Sequence, residues 1–537
     1  MKNTDYVIFF FTGLLAAIVW ALFQNVPGYM DAEYYYANAI QLFRNEGLQE
    51  PFIWNYLSSP VGLPATAFSY WMPLPSLLAA AGMFIFQNES FMAGRSLFLL
   101  FAGLLPVMVR ILAKRLFADN KFIWTAGILA IFSGYYTIFI SQTDSFVVLM
   151  VLACIYFLIA FSIPLIAQTK WNWTLGLFSL GLLSGLIHLL RADGLLWLLG
   201  SAGIMIWRIV LFKQNQTLSG CKETLALVLL GAAAILGGYL FVTGWWYARN
   251  ISVWGTWMPP GGIATIWLTS YDQTFVFPAD QLNFQNWLAS GWHSIIKARI
   301  ESLFQNLKTL IGVQLMVFLL PFVLAGAWKF KKQPVFRFSF FMWLAIFSAM
   351  TLVFPFAGAR GGYFHSGSAI QPIIWALFPV GFQSFIDFGV KKRNWNAKVA
   401  GRVLASGFML IAVSLSVALF FGRVSGTTGG QNWNQSNEQY LRIGNKLTEL
   451  GISNSAIIMV NNPPGFYLAT GRPSIVIPDG GVETLLLASQ EFGAEYIVLE
   501  QNHPEKLDEV FIYPKINKDL EFVAEINGAF LFRLPVK

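Results

Sequence analysis

Two carboxylates follow the first apolar segment of the chain, in residues 26–36 (VPGYMDAEYYY). The uncharged run 6–23 before them is long enough to cross about 30 Å of hydrocarbon, so it brings both carboxylates to the membrane surface. Carboxylates at positions i and i+2 point to different sides of a strand or turn, which predicts separate roles for Asp31 and Glu33. The alternative is a solvated loop, or an N-cap of the following helix.

Further ionisable residues are predicted near the outer ends of membrane spans. Such groups are costly at membrane depth, so their convergence on one face indicates a functional site. Each also has a structural explanation when taken alone: a local ion pair for Arg191 and Asp193, a satisfied bundle histidine for His188, a snorkelling anchor for Arg95 and a loop position for Arg360. Besides Asp31 and Glu33, the set comprises Arg95, Asp144, His188, Arg191, Asp193, Arg249, Arg360 and His365.

These residue types suit the displacement of a lipid-linked phosphate from a sugar. A carboxylate can take the proton from an acceptor hydroxyl that attacks the anomeric carbon, while arginines or a metal ion hold the phosphate oxygens. Because phosphate leaves as a stable anion, the second carboxylic acid of ordinary glycoside hydrolysis is not needed. The loop 245–308, rich in Trp, Tyr, Gly and Pro, offers aromatic faces for a sugar or a polyprenyl chain. An ordinary interfacial aromatic belt is the alternative for this loop.

The composition is that of a polytopic membrane protein. Of 537 residues, 56% are apolar and 12% are charged, and the mean hydropathy is +0.58, values that a soluble chain does not combine. No small-residue cleavage site follows the first apolar run, which predicts that the run stays as a membrane helix. The two cysteines, Cys154 and Cys221, give no disulfide framework.

Eleven spans are predicted, and the run 71–86, which is short and contains prolines, is predicted to lie in the interface. With this count all the basic clusters lie on one side, which must be the cytoplasm. The N-terminus is then cytoplasmic and Asp31 lies outside, and the net charge of +8 needs no nucleic acid to explain it. The predicted spans are 6–23, 96–109, 122–140, 145–167, 173–190, 194–207, 224–248, 309–328, 338–359, 366–386 and 403–421.

Residues 424–537 differ from the rest, with 13 acidic and 8 basic residues. Helical stretches alternate there with short apolar strands, which predicts a small extracytoplasmic α/β domain after a linker at 424–437. The predicted helices are 438–450, 482–492 and 504–510, and the predicted strands are 456–460, 474–477, 496–499, 522–526 and 529–534. The remaining residues 1–423, including outer loops 25–94 and 245–308, form the predicted transmembrane catalytic domain.

Residues 1–423 contain an ordered series of short motifs: Asp31-Ala-Glu33, Tyr70-Trp71-Met-Pro-Leu-Pro, Arg95, Gln142-Thr-Asp144, Arg191-Ala-Asp193-Gly194, Trp246-Tyr-Ala-Arg249, Gly255 and Pro259-Pro-Gly-Gly262. In their order these motifs resemble those of GT-C superfold glycosyltransferases, and among them the bacterial relatives of protein O-mannosyltransferases and of lipid A aminoarabinose transferases. The motif around Asn461 and that around Arg472 resemble the extracytoplasmic tail of uncharacterised members.

The resemblance implies a polyprenyl-phosphate-linked sugar as donor and an inverting transfer on the outer side of the cell membrane. It implies Asp31 as the catalytic base, Asp144 as the second acidic position, and Arg249 and Arg360 near the donor phosphate. The chain departs from the mannosyltransferases, whose first loop carries adjacent acids, because Ala32 separates Asp31 from Glu33. A divalent metal cation is a candidate cofactor, with Glu33, Asp144 and His365 as candidate ligands that lack diagnostic spacing. Arg191 and Asp193 are supporting residues.

The predicted protein is a membrane glycosyltransferase that acts on a hydroxyl of an acceptor protein, glycolipid or polysaccharide in contact with the lipid bilayer. Two other functions remain open. A transporter or flippase of a lipid-linked sugar would need inverted repeats, broken helices and charges near the bilayer midplane. A structural subunit would bind a partner through the C-terminal domain and leave the membrane cluster inert.

Overall fold

The structure is a computed structural model that describes residues 3–117, 120–163, 170–214, 220–427, 432–516 and 519–535. The chain forms two compact units. The first, here called the membrane unit, comprises residues 1–21, 98–255 and 301–421. The second, here called the sheet unit, comprises residues 22–97, 256–300 and 422–537.

Long apolar helices make up the membrane unit. Within the described ranges, nine helices are long and apolar enough to cross a membrane, which confirms a polytopic helical membrane protein. The α-helices of the unit, some of which run past its ends, are Asn3–Leu22, Ser96–Leu116, Ile123–Ile131, Ser145–Ser162, Lys170–Leu190, Leu195–Gln214, Cys221–Trp254, Gly291–Lys308, Leu320–Phe330, Pro334–Ser348, Pro355–Ala357, Tyr363–Gly367, Gln371–Arg393 and Ala397–Ser425.

Glycines allow two of these helices to pack closely. A Cβ atom on Gly181 would lie 2.0 Å from the carbonyl oxygen of Ile235, and one on Gly238 would lie 2.1 Å from that of Phe178. Small residues that let helix backbones approach are typical of packing inside membranes. Larger residues at these two positions would prevent the helices Lys170–Leu190 and Cys221–Trp254 from approaching this closely.

Several of the eleven predicted spans are interrupted, among them 122–140 and 309–328, so the count of eleven is approximate. The span 122–140 contains the helix Ile123–Ile131 and then a 3₁₀ turn, Gly134–Ile138, that begins at a glycine with φ of +65°. The span 309–328 begins as a π-helical segment, Thr309–Gln314, and continues as an α-helix only at Leu320, where Pro321 occupies the first turn. Apolar composition alone does not reveal these breaks, because they depend on local backbone geometry.

A six-stranded sheet organises the sheet unit. In chain order the strands of the unit are β1 Gln49–Glu50, β2 Phe52–Ile53, β3 Ala65–Thr66, β4 Ile457–Val460, β5 Ser474–Val476, β6 Ala494–Leu499, β7 Glu521–Ile526 and β8 Ala529–Arg533. The order in the large sheet is β2-β5-β4-β6-β8-β7, and β1 pairs with β3 separately. Strands β2, β5, β4 and β6 are parallel, whereas β8 runs antiparallel to both β6 and β7.

Apolar side chains cover both faces of this sheet. One core contains Met459, Ile475 and Ile497, and the other contains Ile458, Val460 and Val498, as expected from the alternation of side chains along a strand. The predicted C-terminal α/β pattern is present, but β2 comes from the first loop, where no strand was predicted. The α-helices of the unit are Met30–Phe43, Leu74–Phe86, Phe91–Gly94, Pro260–Ala264, Phe284–Ala289, Gln435–Glu449, Pro463–Thr470, Val482–Phe492 and Asp508–Ile512.

Candidate active site

The helix Met30–Phe43, here called the acidic helix, carries both carboxylates of the first loop. Its N-cap residue, Tyr29, has extended backbone and makes no side-chain capping bond. Asp31 and Glu33 therefore lie within the first helical turn, where negative charge is favoured by the helix dipole. The alternative that one of them is an N-cap is wrong.

Asp31 and Glu33 point to different sides of the acidic helix. Two residues along an α-helix correspond to a rotation of about 200°. Asp31 is half-buried, whereas Glu33 is only 3% exposed. The separation expected for a strand or turn thus also holds in a helix, and the two carboxylates meet different surroundings.

Glu33 is bonded to the C-terminal part of the sheet unit. The amide Nδ2 of Asn462 donates a hydrogen bond of 2.7 Å to Glu33 Oε2. Burial raises the pKa of Glu33 to about 7, although the hydrogen bond from Asn462 acts in the opposite direction. The fold therefore favours the protonated form of this carboxyl group over the ionised form.

The raised pKa of Glu33 predicts how the stability of the protein changes with pH. Between the ordinary value of 4.5 and about 7, the folded state binds more protons at Glu33 than the unfolded state does, so stability should fall as pH rises through this window. In Glu33→Gln this contribution is absent. Thermal unfolding of the purified protein at pH 5 and pH 8 should show a smaller loss of Tm for Glu33→Gln than for the wild type.

The wild type must be compared with Glu33→Gln because a second carboxyl group of the sheet unit, that of Glu500, also contributes to the pH dependence of stability. Burial also raises the pKa of Glu500, and the hydroxyl of Tyr440 donates to its Oε2 at 3.2 Å. Glu500 contributes equally in wild type and variant, so the difference between them isolates Glu33. An identical pH dependence in the two proteins would contradict the assignment.

Gly28 and Trp433 fix the entry of the chain into the acidic helix. Trp433 Nε1 donates to the carbonyl oxygen of Val26 at 2.8 Å. Gly28 has φ of +74°, and a Cβ atom there would lie 2.3 Å from the Trp433 ring. We expect Gly28→Ala to destabilise the protein by about 1–3 kcal/mol, because it combines backbone strain with a clash against a buried indole.

The measurement for Gly28→Ala is thermal unfolding in detergent, with Gly47→Ala as the control. Gly47 also has a positive φ, of +82°, but a Cβ atom there would meet no atom within 4 Å. The control separates backbone strain from the clash. Equal losses of Tm in the two variants would show that Trp433 plays no part.

A second group of polar residues lies in the membrane unit, and we call it the Asp144 cluster: Asp144, Ser145, Arg191, Asp193, His365 and Ser366. Asp144 is 1% exposed and caps the helix Ser145–Ser162 by accepting from the backbone N–H of Ser145. His365 Nδ1 lies 3.7 Å from Asp144 Oδ1 and 3.3 Å from Ser145 Oγ. Its ring stacks on Phe146, with centroids 4.1 Å apart.

Arg191 connects the next part of the cluster. Its Nε donates to Asp193 Oδ1 at 2.9 Å, and its Nη2 donates to Ser366 Oγ at 3.0 Å. The local ion pair expected from the sequence is thus present, and Arg191 also reaches the segment that carries His365. The tight turn at Ala192–Gly194 needs a glycine, because a Cβ atom on Gly194 would lie 2.3 Å from the Cα of His188.

The two arginines predicted to hold phosphate lie on separate elements of the membrane unit. Arg249 lies near the end of the helix Cys221–Trp254, with its guanidinium 5.0 Å from the ring centre of Trp246 and 4.4 Å from that of Trp254. Arg360 is exposed and lies in the kinked segment Gly358–Gly362, directly before Gly361, which has φ of +130°. Stacking thus restrains the position of the Arg249 guanidinium.

Two other residues of the predicted set have structural partners. Arg95, in the sheet unit, is 2% exposed, donates to the carbonyl oxygen of Gln24 at 2.7 Å and lies over the Phe91 ring. His188, in the membrane unit, is buried and bonds through Nδ1 to the hydroxyl of Tyr239. This bond gives one ring nitrogen of His188 a structural partner, while the other, Nε2, is buried without a hydrogen bond among the described residues.

Sequence reasoning missed the partners of the predicted residues. The hydroxyls of Ser145 and Ser366 gave no signal, since serine is common in membrane helices. Asn462 lies in the motif around Asn461, but its partner Glu33 is 429 residues away along the chain. Only pairing information between distant positions could have found that contact.

Similarity to solved structures identifies the fold of the chain. No family model matches the chain, and no curated protein matches it. ArnT from Cupriavidus metallidurans, solved bound to undecaprenyl phosphate, is similar over 99% of this chain and 98% of that chain, with a TM-score of 0.54 and 11% identity. The archaeal oligosaccharyltransferase AglB from Archaeoglobus fulgidus, in complex with an inhibitory peptide and a dolichol-phosphate, is similar over 98% of this chain and 74% of that chain, with a TM-score of 0.53 and 13% identity.

A third similar structure contains a bound metal ion. The Archaeoglobus fulgidus oligosaccharyltransferase in complex with Zn and sulfate has a TM-score of 0.52 and 12% identity, and the match covers 98% of this chain and 74% of that chain. At these identities the likeness establishes the fold alone. It extends over nearly the whole chain, the sheet unit included.

Proposed function

From the premise that this chain has the fold of the GT-C membrane glycosyltransferases, we propose that it transfers a sugar from a polyprenyl-phosphate donor to an acceptor hydroxyl. The observation that carries the proposal is the Asp144 cluster, in which a buried carboxylate, a histidine and an ion-paired arginine meet at the ends of apolar helices. Charged groups in that setting are expensive and are typical of functional sites.

Asp31 is the proposed catalytic base. Its carboxylate takes the proton of the acceptor hydroxyl while the hydroxyl oxygen attacks the anomeric carbon of the donor. The bond from that carbon to the phosphate oxygen breaks, and polyprenyl phosphate leaves with the electron pair. Attack opposite to the leaving group inverts the configuration of the sugar, and one base suffices because the phosphate needs no added proton.

Arg249 and Arg360 are the proposed residues for the donor phosphate. Guanidinium groups bind phosphate oxygens through paired N–H donors, which also stabilises the charge of the leaving group. ArnT was solved bound to undecaprenyl phosphate and AglB in complex with a dolichol-phosphate, and this supports a polyprenyl phosphate as the carrier here. Arg191 and Asp193 support His365 through the bond from Arg191 to Ser366.

A divalent cation fits the Asp144 cluster. Asp144 Oδ1 and His365 Nδ1 lie 3.7 Å apart, and a carboxylate with an imidazole suits Zn²⁺ or Mn²⁺ better than Ca²⁺. When bound, such an ion would neutralise negative charge on phosphate oxygens. We place the metal proposal on Asp144 and His365, because the carboxylate of the third candidate, Glu33, accepts a hydrogen bond from Asn462.

The proposed acceptor is a hydroxyl of a protein, a glycolipid or a polysaccharide, and the proposed location is the outer face of the cell membrane. The orientation follows from the basic clusters between the predicted spans, which favour the cytoplasm. Protease accessibility of residues 432–516 in intact cells or spheroplasts would test it. Cleavage only in inverted vesicles would overturn the orientation.

The deciding experiment measures transfer from a panel of radiolabelled polyprenyl-phosphate sugars in membranes that contain the wild type or Asp31→Asn. Transfer by the wild type that is lost in the variant supports both the reaction and the base. If neither protein consumes a donor while the wild type alone moves the lipid-linked sugar across liposomes, the transporter replaces the enzyme. A partner recovered in stoichiometric amount with neither activity would favour the structural subunit.

A further inference from the structure

We propose that Glu33 is a positioning residue: its bond to Asn462 holds the acidic helix, and with it Asp31, on the helix Pro463–Thr470. We call that helix the Pro-Pro-Gly helix. The proposal rests on the proposed function, since it gives the C-terminal segment a role in orienting the base. It assigns Glu33 to the protein scaffold and leaves the donor and the metal to other residues.

Two polar contacts join the two helices. Asn462 Nδ2 donates to Glu33 Oε2 at 2.7 Å, and Gln41 Nε2 donates to the hydroxyl of Tyr467 at 2.8 Å. Glu33 and Gln41 are eight residues apart, about two helical turns, so they lie on the same side of the acidic helix. Both are 3% exposed. Two contacts separated by two turns fix the rotation of the acidic helix as well as its position.

The Pro-Pro-Gly helix is shaped to receive Glu33. Asn462 Oδ1 accepts from the backbone N–H of Gly465 at 3.3 Å, so one amide side chain both caps the helix and holds the carboxylate. A Cβ atom on Gly465 would lie 2.9 Å from Glu33 Oε2. Glycine at this position therefore leaves the space that the carboxylate occupies.

The central strand of the sheet anchors the Pro-Pro-Gly helix. Strand β4 ends at Val460, two residues before Asn462, and β4 pairs with β5 on one side and with β6 on the other. The ring of Tyr467, on the Pro-Pro-Gly helix, lies 5.9 Å from the ring of Phe52, which belongs to the edge strand β2. The core of the sheet unit thus determines where Glu33 is held.

The position of Glu33 affects Asp31 because the two residues lie in the same turn of the acidic helix. A helix is stiff over two residues, so a shift of Glu33 rotates Asp31 by a comparable angle. A general base must lie within hydrogen-bond reach of the proton it takes, and a displacement of about 1 Å can reduce a rate by a large factor. Loss of the bond between Glu33 and Asn462 should therefore lower kcat more than it raises the KM for the donor.

Four variants test the hydrogen bond. Glu33→Gln keeps an acceptor oxygen for Asn462 and should retain most of the activity, whereas Glu33→Ala should lower kcat by about tenfold. Asn462→Asp keeps the helix cap but replaces the amide that donates to Glu33 with a second acidic group, and it should lower kcat by a similar factor. In the double variant Glu33→Gln with Asn462→Asp, the glutamine amide can donate to the new carboxylate, so kcat and Tm should return towards the wild-type values.

The outcomes separate this inference from the proposed function. Absence of transfer in the wild type with every donor would overturn the proposed function, and with it the role of Glu33 in orienting a base. A wild type that transfers sugar, together with a Glu33→Gln variant as inactive as Asp31→Asn, would overturn the inference alone and indicate a role for the charge of Glu33. A double variant no better than Asn462→Asp, in both kcat and Tm, would also overturn it.

Discussion

Asp31→Asn is expected to lower the rate of sugar transfer by about 10²- to 10⁴-fold, the usual contribution of a general base. Asparagine has the same shape but cannot take a proton from the acceptor hydroxyl. The KM for the donor should change little, because the proposed donor contacts are made by Arg249 and Arg360. The measurement is initial rate against donor concentration in membranes with matched protein levels.

Asp280→Asn is the matched control for this variant. Asp280 is an exposed carboxylate of the same unit, and Asn283 Nδ2 donates to its backbone oxygen, which the substitution leaves in place. Its activity should equal that of the wild type. The assignment of the base would be abandoned if Asp31→Asn kept full activity, or if the two variants lost activity equally.

Asp144→Asn is expected to lower transfer by about 10²-fold or more while leaving the Tm nearly unchanged. Asparagine is as good an N-cap as aspartate, so it can still accept from the backbone N–H of Ser145 and keep the helix Ser145–Ser162 in place. Its neutral side chain cannot supply the charge that would hold a cation with His365 or balance the reaction electrostatically. Rates and thermal unfolding, measured on the same purified sample, separate the two effects.

Asp144→Ala complements this test. It removes the helix cap as well as the charge, and it should lower the free energy of unfolding by about 0.5–2 kcal/mol relative to Asp144→Asn. Glu223→Gln, a change of an exposed acidic residue in the membrane unit, is the control for charge alone.

Metal dependence follows from the same residues. If a divalent cation acts at the Asp144 cluster, a chelator should abolish wild-type transfer and added Zn²⁺ or Mn²⁺ should restore it. Asp144→Asn should then need a higher metal concentration than the wild type. Full activity of the wild type after exhaustive chelation would exclude the metal, and the role of Asp144 would rest on its charge.

The membrane character and most of the helices could be predicted from the sequence because both follow from local composition. Lipid forces every backbone polar group of a span into internal hydrogen bonds, so a long apolar run in a membrane protein forms a helix. Interruptions such as Thr309–Gln314 escaped prediction, since they leave the run apolar and alter only its backbone geometry. In the C-terminal segment the alternation of apolar residues located five strands and the helix Val482–Phe492.

For the candidate site, too, the residues could be proposed from the sequence, whereas contacts between distant segments could not. Residue type and position relative to apolar runs gave Asp31, Asp144 and His365 as candidates, and nearby positions along the chain were enough to pair Arg191 with Asp193. The approach of His365 to Ser145 and Asp144 joins segments that, counted from Ser145, are 220 residues apart. No pattern within either segment encodes that approach.

By itself, therefore, the sequence determined that this is a polytopic membrane protein and where most of its apolar helices lie, and it supplied the ionisable residues that are candidates for the site. Tertiary structure alone decided the partners: Glu33 with Asn462, Arg191 with Ser366, and β2 of the first loop beside β5. The physical reason is that hydropathy and periodicity act over a few helical turns. Pairing between distant segments, by contrast, is set by how complete helices and strands pack, and individual residues carry no local mark of it.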